Sequence, residues 1–143
     1  MKALQIPNVL LIMAISPAVM AHVKEENYSS QKEAIGSVAK ADGFIPDWLP
    51  VAAADIHFAR NAHNTDFLLR FRLPQGEALN LPSGCQATTS ASAGKSPFKR
   101  TWWPNDLPQA TPATVKYKYF ACGTNTVAVV LEDGTQVFVW RSQ

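Results

Sequence analysis

Residues 115–140 read VKYKYFACGTNTVAVVLEDGTQVFVW, and this stretch decides the fold class of the chain. Its apolar segments are rich in β-branched and aromatic residues, which favour β-strands. An Asp-Gly pair at 133–134 separates the last two segments, and such a pair is typical of a tight hairpin turn. The stretch therefore predicts three consecutive antiparallel strands, over 115–122, 127–131 and 136–140.

A further strand pair is predicted upstream. Apolar and polar residues alternate over 66–73, which places Phe67, Leu69 and Phe71 on one face of a strand. The segment 55–60 is expected to pair with it across an intervening stretch that is rich in turn-forming residues. The chain therefore predicts about five strands.

The segment 29–40 predicts a short amphipathic helix, because apolar residues recur in it at spacings of three and four. Ser29 or Ser30 is the expected N-cap. Residues 22–28 are expected to be frayed. Residues 22–43 are accordingly interpreted as an N-terminal segment that carries a short helix.

The other segments are expected to connect these elements. Prolines forbid a continuous helix over 43–50, which predicts an extended apolar connector. One or two helical turns are expected over 77–81, and 86–96 has the composition of a mobile surface loop. Residues 44–143 therefore predict an α+β domain that consists of a single antiparallel sheet of about five strands, with one or two short helices and one disulfide.

Residues 1–21 have the organisation of a secretory signal peptide. Lys2 precedes an apolar run over 9–15, and a Val19-x-Ala21 ending predicts cleavage after Ala21 or nearby. The run is shorter than the roughly 20 residues that span a bilayer, and no cysteine follows it. We therefore expect a periplasmic or secreted protein with neither a membrane span after cleavage nor a lipid anchor.

Cys85 and Cys122 are the two cysteines of the chain. In an oxidising compartment an even pair predicts a disulfide. A redox-active pair would normally show Cys-x-x-Cys spacing, and a zinc site would need more ligands, so a structural bridge is the favoured interpretation. Closing a loop of this length would stabilise the domain by roughly 4 kcal/mol in the chain-entropy model.

The charge balance argues against nucleic acid as a partner. Removal of Lys2 from the 13 basic residues leaves 12 against 11 acidic residues, a net charge of +1. Such a chain has no large electrostatic field that would steer nucleic acid or anionic lipid.

A short aromatic and basic loop is the candidate binding site: Lys99, Arg100, Trp102 and Trp103. The two tryptophans directly precede a proline, so one of their rings is expected to be displayed. Trp and Arg are the residue types that anchor protein interfaces and sugar-binding surfaces. The alternative is that one of the rings caps the sheet where the chain returns near Cys85.

No catalytic residue and no cofactor is assigned, because hydrolase motifs and phosphate-binding loops are absent from the sequence. Asp55 and His57 would share a strand face, which makes a weak envelope hydrolase the least favoured alternative. Cleavage after Ala21 would make His22 the N-terminal residue, and a terminal amine and imidazole can bind copper together with a second imidazole. The polar stretch after His22 gives no reason for it to be held near another histidine, so no metal site is expected.

Several short segments resemble small exported or lipid-anchored bacterial proteins, most of which have no assigned function. The segments are Pro46-Asp47-Trp48-Leu49-Pro50, Ala54-Asp55-Ile56, Leu69-Arg70-Phe71, Trp102-Trp103-Pro104, Tyr119-Phe120-Ala121-Cys122 and Phe138-Val139-Trp140. The resemblance covers residues 44–140 in separate pieces. It implies a Gram-negative periplasmic protein, and proteins of this kind sometimes serve as immunity partners of a toxic effector. The lipid-attachment cysteine that many of them carry is missing from this chain.

These observations favour a non-enzymatic periplasmic binding protein, of the immunity or inhibitor type, that blocks a protein partner. The alternative from another class is a module that binds cell-wall glycan or another envelope ligand through an exposed tryptophan.

Overall fold

The computed structural model describes residues 22–107 and 116–143, so the expected signal peptide lies outside the described residues. Seven strands and three short helices are found in the described part. The strands are β1 (Val23–Ser30), β2 (Ala54–Asn61), β3 (Phe67–Arg72), β4 (Cys85–Thr88), β5 (Tyr117–Cys122), β6 (Thr126–Leu131) and β7 (Gln136–Arg141). The helices are α1 (Gln31–Ile35), α2 (Val38–Ala41) and α3 (Ser90–Ala93).

All seven strands form a single antiparallel sheet in the spatial order β1-β2-β3-β7-β6-β5-β4. The prediction of a single antiparallel sheet with few short helices is confirmed, and so are β2, β3 and the three C-terminal strands. The expected number of about five strands is wrong, because β1 and β4 extend the sheet by one strand at each edge. The fold is therefore mostly β.

Four local expectations differ from the structure. The helix expected over 29–40 is two short helices, because Gly36 and Ser37 end α1 and cap α2. Residues 77–81 contain no helical turn, and the loop expected over 86–96 contains most of β4 and all of α3. The expected fraying of 22–28 is also wrong, because β1 pairs with β2 along its whole length.

The central strands are buried on both faces, which explains their nearly continuous apolar sequences. In β7, Val137, Phe138, Val139 and Trp140 are all buried. Such a strand needs a covering layer on each side of the sheet. The two covering layers come from different parts of the chain.

The first layer consists of α1, α2 and the connector that follows them. Its buried residues are Ala34, Ala39, Phe44, Ile45, Leu49 and Ala53. They pack against the sheet residues Ile56, Phe58, Phe67, Leu69, Phe71, Ala128, Val137 and Val139. We call this cluster the helix-side core. Its location explains the alternation in β3, because Phe67, Leu69 and Phe71 all point into it.

The second layer is irregular and lies on the opposite face of the sheet. Trp103 and Leu107 are buried there against the sheet residues Leu68, Tyr119, Val127, Val129, Phe138 and Trp140. We call this cluster the loop-side core. The sheet is therefore sandwiched between short helices and a loop, and the candidate binding residues belong to that loop.

Serine capping begins α1, as the sequence predicts. The Ser30 side chain accepts a hydrogen bond from the Glu33 amide, and the Glu33 carboxylate accepts from both the backbone and the hydroxyl of Ser29. The two hydrogen bonds from Ser29, the backbone one first, lower the pKa of the Glu33 carboxyl, since they favour its ionised form. No helix in the described residues is long and apolar enough to cross a membrane.

Candidate functional site

The predicted disulfide between Cys85 and Cys122 is present. The two residues are register partners on β4 and β5, with Cα atoms 4.1 Å apart. Because β4 is a four-residue strand at the edge of the described sheet, the bridge ties the shortest strand to its neighbour β5. The disulfide is consistent with an oxidising compartment.

Trp103 fixes the candidate binding loop to the sheet. Its side chain is 4% exposed and packs edge-on against Phe138 and Trp140, at centroid distances of 5.4 and 5.9 Å. The Trp103 amide donates to the carbonyl of Arg100 at 3.0 Å, which closes a tight turn. Trp103 is therefore part of the loop-side core, and its ring is not displayed to a partner.

Trp102 is the partly exposed member of the pair. Its ring stacks on His57 at a centroid distance of 5.3 Å and an interplanar angle of 27°. Its indole N–H donates to the carboxylate of Glu25 on β1, and its carbonyl accepts from Arg70 at 2.8 Å. Side chains from three neighbouring strands therefore hold one loop residue in place.

The basic residues of the loop differ in how they are held. Arg100 Nε lies 3.7 Å from Glu25 Oε2, which is within ion-pair range but longer than a hydrogen bond. Lys99 is exposed. Glu25 thus faces both Arg100 and Trp102, so the edge strand and the loop form one surface. We call Lys99, Arg100, Thr101 and Trp102, together with Glu25, the Trp102 surface.

A β-bulge positions His57 beneath Trp102. The pairing of β2 with β3 shifts register between Ala54 and His57, and Asp55 adopts a left-handed backbone conformation with φ 50°. Its carboxylate lies 3.1 Å from His57 Nε2 and 3.3 Å from Arg72 Nε. A backbone conformation of this kind is uncommon outside glycine and often accompanies a functional constraint. Here it allows one carboxylate to orient the histidine on which Trp102 stacks.

The Asp55–His57 contact was the basis of the hydrolase alternative. His57 Nδ1 is buried and has no hydrogen-bond partner among the described residues. Its Nε2 contacts the Asp55 carboxylate. A nucleophile and its base need hydrogen-bond contact, whereas the contact seen at this imidazole orients the ring on which Trp102 stacks.

The other two histidines meet at the far end of the β1–β2 pair. His22 Nδ1 contacts His63 Nε2, with ring centroids 4.2 Å apart. The polar stretch after His22 is the strand β1, so His22 is held in place, contrary to the sequence interpretation. Within the described ranges, no group of three or more His, Cys, Asp or Glu side chains is arranged to hold a metal ion.

Two shallow cavities of about 430 Å³ each lie side by side at the end of the sheet that carries the β5–β6 turn. Their shared lining residues are Gly123, Asn125, Thr126 and Gln143. Hydroxyl and amide side chains contribute to the lining of both cavities, and Trp140 lines one of them. These cavities lie outside the Trp102 surface.

The sequence identified the loop but missed what holds it. Glu25, His57 and Arg70 carry no local motif, and they come together only because β1, β2 and β3 are adjacent in the sheet. A usable signal was present in Arg70, a charged residue that stands between apolar neighbours inside β3.

Comparison with known proteins is informative for one part of the chain. No curated protein and no solved structure matches it significantly. A family model matches residues 22–72, from His22 to the end of β3. This range contains the contact of His22 with His63 and the contact of His57 with Asp55. Over these 51 of 143 residues the chain is similar to the YbbD head domain, a bacterial family of uncertain function.

Proposed function

We propose that the protein is a non-enzymatic periplasmic binding protein of the immunity or inhibitor type, and that its Trp102 surface covers a protein partner. The observation that carries the proposal is the way Trp102 is held. Its ring, its indole N–H and its carbonyl each have a partner on a different strand, His57, Glu25 and Arg70, while the ring stays partly exposed.

Preorganisation is the physical reason for this choice. A partner that binds a mobile side chain must immobilise it, at a cost of about 0.5–1.5 kcal/mol for each side chain. Trp102 is already ordered in the free protein, so its contact area contributes to affinity without that loss. Tryptophan is also among the residue types that dominate the binding energy of protein interfaces.

The neighbouring strand supports the same proposal. β1 is an edge strand whose outer side pairs with no described strand, and it carries Glu25 next to the loop. A partner that contacts Trp102 would also meet backbone groups along β1, and an extended segment can pair with such an edge. The exposed side chain of Lys99 would give this surface a preference for acidic partners.

The test is affinity capture with matched tryptophan variants. The mature chain is immobilised and exposed to periplasmic extract of its native host, in the wild-type form, as Trp102→Ala and as Trp48→Ala. Trp48 is partly buried on the opposite side of the sheet, where it packs against Phe71 at 6.3 Å, so it controls for the loss of a large ring. We expect one dominant protein to be retained by the wild type and by Trp48→Ala, and to be lost with Trp102→Ala. Retention of no protein, or equal retention by Trp102→Ala, would contradict the proposal.

The alternative function is binding of an envelope glycan. It is favoured by the partly exposed ring of Trp102 and by the hydroxyl and amide lining of the two cavities near Asn125. Sedimentation with purified peptidoglycan distinguishes the two functions, because only a glycan-binding module pellets. Release by Trp102→Ala would assign binding to the loop, whereas release by Asn125→Ala would assign it to the cavities.

A further inference from the structure

The start of β1 brings two imidazoles together that the sequence separates by 41 residues. His22 lies directly before β1, and His63 lies in the turn between β2 and β3. Nδ1 of His22 faces Nε2 of His63, and the two rings are tilted by 62°. Both side chains are accessible, since His22 is half-buried and His63 is exposed.

Hydrogen bonds of their backbone groups hold both histidines independently of this contact. The carbonyl of His22 accepts from the Ala62 amide at 2.6 Å, which continues the β1–β2 ladder. The His63 amide donates to Asn61 Oδ1 at 2.9 Å, and the Asn61 amide donates to the carbonyl of Asp66 at 3.0 Å. The turn that carries His63 is therefore fixed, and the pair is arranged in advance.

We infer that the mature protein binds Cu(II) through the terminal amine and Nδ1 of His22 together with Nε2 of His63. The inference depends on the expected cleavage after Ala21, which converts the nitrogen of His22 from an amide into a free amine. An N-terminal histidine closes a chelate ring through its amine and its Nδ1. In this fold Nδ1 is the nitrogen that already faces the second imidazole.

The donor set selects the metal. Two imidazoles and an amine are nitrogen ligands, and nitrogen donors in a tetragonal arrangement favour Cu(II). Among divalent first-row ions, Cu(II) also binds such donors most tightly. The described residues offer no third His, Cys, Asp or Glu side chain at this position, so the amine is essential to the site. Removing one coordinating nitrogen should therefore abolish tight binding.

The site is separate from the Trp102 surface. His57, the histidine beneath Trp102, bonds to Asp55 and does not contact His22 or His63. Copper binding and partner binding are thus independent properties, and either one can fail alone. His57 also provides a matched control, because His57→Ala removes an imidazole without touching the proposed ligands.

The experiment uses the mature protein recovered from the periplasm, with its first residue established by intact-mass analysis. Copper sulfate is titrated in a non-coordinating buffer against a competing chelator, and the bound ion is examined by electron paramagnetic resonance. We expect one equivalent of Cu(II), a tetragonal spectrum and hyperfine splitting from nitrogen ligands. The variants are His63→Ala, His22→Ala and His57→Ala.

Loss of an outer-shell partner typically lowers metal affinity about 10–100-fold, so loss of a direct ligand should lower it by at least that factor. We expect such a loss for His63→Ala and for His22→Ala, and no change for His57→Ala. Thermal unfolding of each variant shows whether the fold is retained. Copper affinity that is unchanged in His63→Ala or in His22→Ala would overturn the inference. A mature chain that does not begin at His22 would overturn it as well.

Discussion

Loss of the disulfide is the perturbation whose effect can be worked out most fully from the structure. Cys85 and Cys122 are separated by 37 residues in sequence, and they join the edge strand β4 to β5. The double variant Cys85→Ala/Cys122→Ala removes the bridge and introduces no large side chain. The chain contains two cysteines, and both form this bridge. The double variant therefore has no thiol that could complicate the measurement.

The expected decrease in the free energy of unfolding comes from the unfolded chain. In the chain-entropy model a loop of this length corresponds to about 4 kcal/mol at 25 °C, because the unbridged chain gains conformations that the bridged chain lacks. For a domain of this size the loss should lower the thermal midpoint by about 10–20 °C and the urea midpoint by roughly 1.3–4 M. Such a loss is a large fraction of the usual stability of a domain.

The assay is equilibrium urea unfolding followed by tryptophan fluorescence, since Trp103 and Trp140 are buried in the folded protein. The double variant is compared with the wild type before and after reduction by dithiothreitol. The reduced wild type should match the double variant to within about 1 kcal/mol, because both lack the same constraint.

A loss below about 1 kcal/mol in both samples would refute this reasoning. It would mean that β4 detaches locally when the bridge opens, without affecting the rest of the sheet. Fast hydrogen exchange confined to β4 and β5 would identify that outcome. β4 has only one neighbouring strand, so this measurement is the decisive one.

Further predictions concern the core, a helix cap and one phenol. Leu69→Ala removes a side chain from the helix-side core and should lower the free energy of unfolding by about 2–5 kcal/mol. Val51→Ala, at an exposed position, should change it by less than about 0.5 kcal/mol. Urea unfolding measures both. Ser30→Ala, which removes the N-cap of α1, should cost about 0.5–2 kcal/mol in the same assay, and an unchanged midpoint would contradict the capping role. Burial, aided by the charge on Asp106, raises the pKa of Tyr117 to about 12, so an absorbance titration should show a late phenol that Tyr117→Phe removes. Since the fold favours the neutral phenol, its contribution to stability is complete below pH 10.0 and is lost as the pH rises through about 12.

The strands that the sequence predicted share one physical property. β2, β3, β5, β6 and β7 lie in the interior of the sheet, between the edge strands β1 and β4, where apolar residues must recur. The hairpin between β6 and β7 carries its turn signal in Gly134, whose φ of 77° requires a residue that tolerates a left-handed conformation. Burial and turn-forming residues therefore leave a pattern in the sequence, and this pattern predicted the central strands of the sheet.

The two strands that the sequence missed are the edges. β1 reads VKEENYSS, with charged residues at the exposed positions, and β4 is only four residues long. Natural proteins often give edge strands charges and short lengths, because these features prevent edge-to-edge association. The same features remove the apolar alternation on which strand prediction depends. An error of one strand at each edge is therefore the expected failure for this kind of sheet.

The candidate site was predicted in part, as the sheet was. Trp102 is partly exposed and Trp103 is buried against the sheet, so the pair shows features of both sequence interpretations, a displayed ring and a ring that caps the sheet. Sequence could not decide which ring is buried, because that depends on the distant residues Phe138 and Trp140. It also treated His22 as unrestrained, since nothing local indicates that an unpatterned polar stretch pairs with β2.

One strand connects both proposals. His22, directly before β1, lies against His63, and three residues later β1 places Glu25 against Trp102. Proline cannot donate to a ladder hydrogen bond, so a proline within β1 should weaken copper binding and partner capture together. His63→Ala and Trp102→Ala act on side chains at separate positions, so each should affect only one of the two properties. If both variants instead impaired both properties, the edge strand would behave as a single conformational unit, and the two sites would be coupled through its pairing with β2.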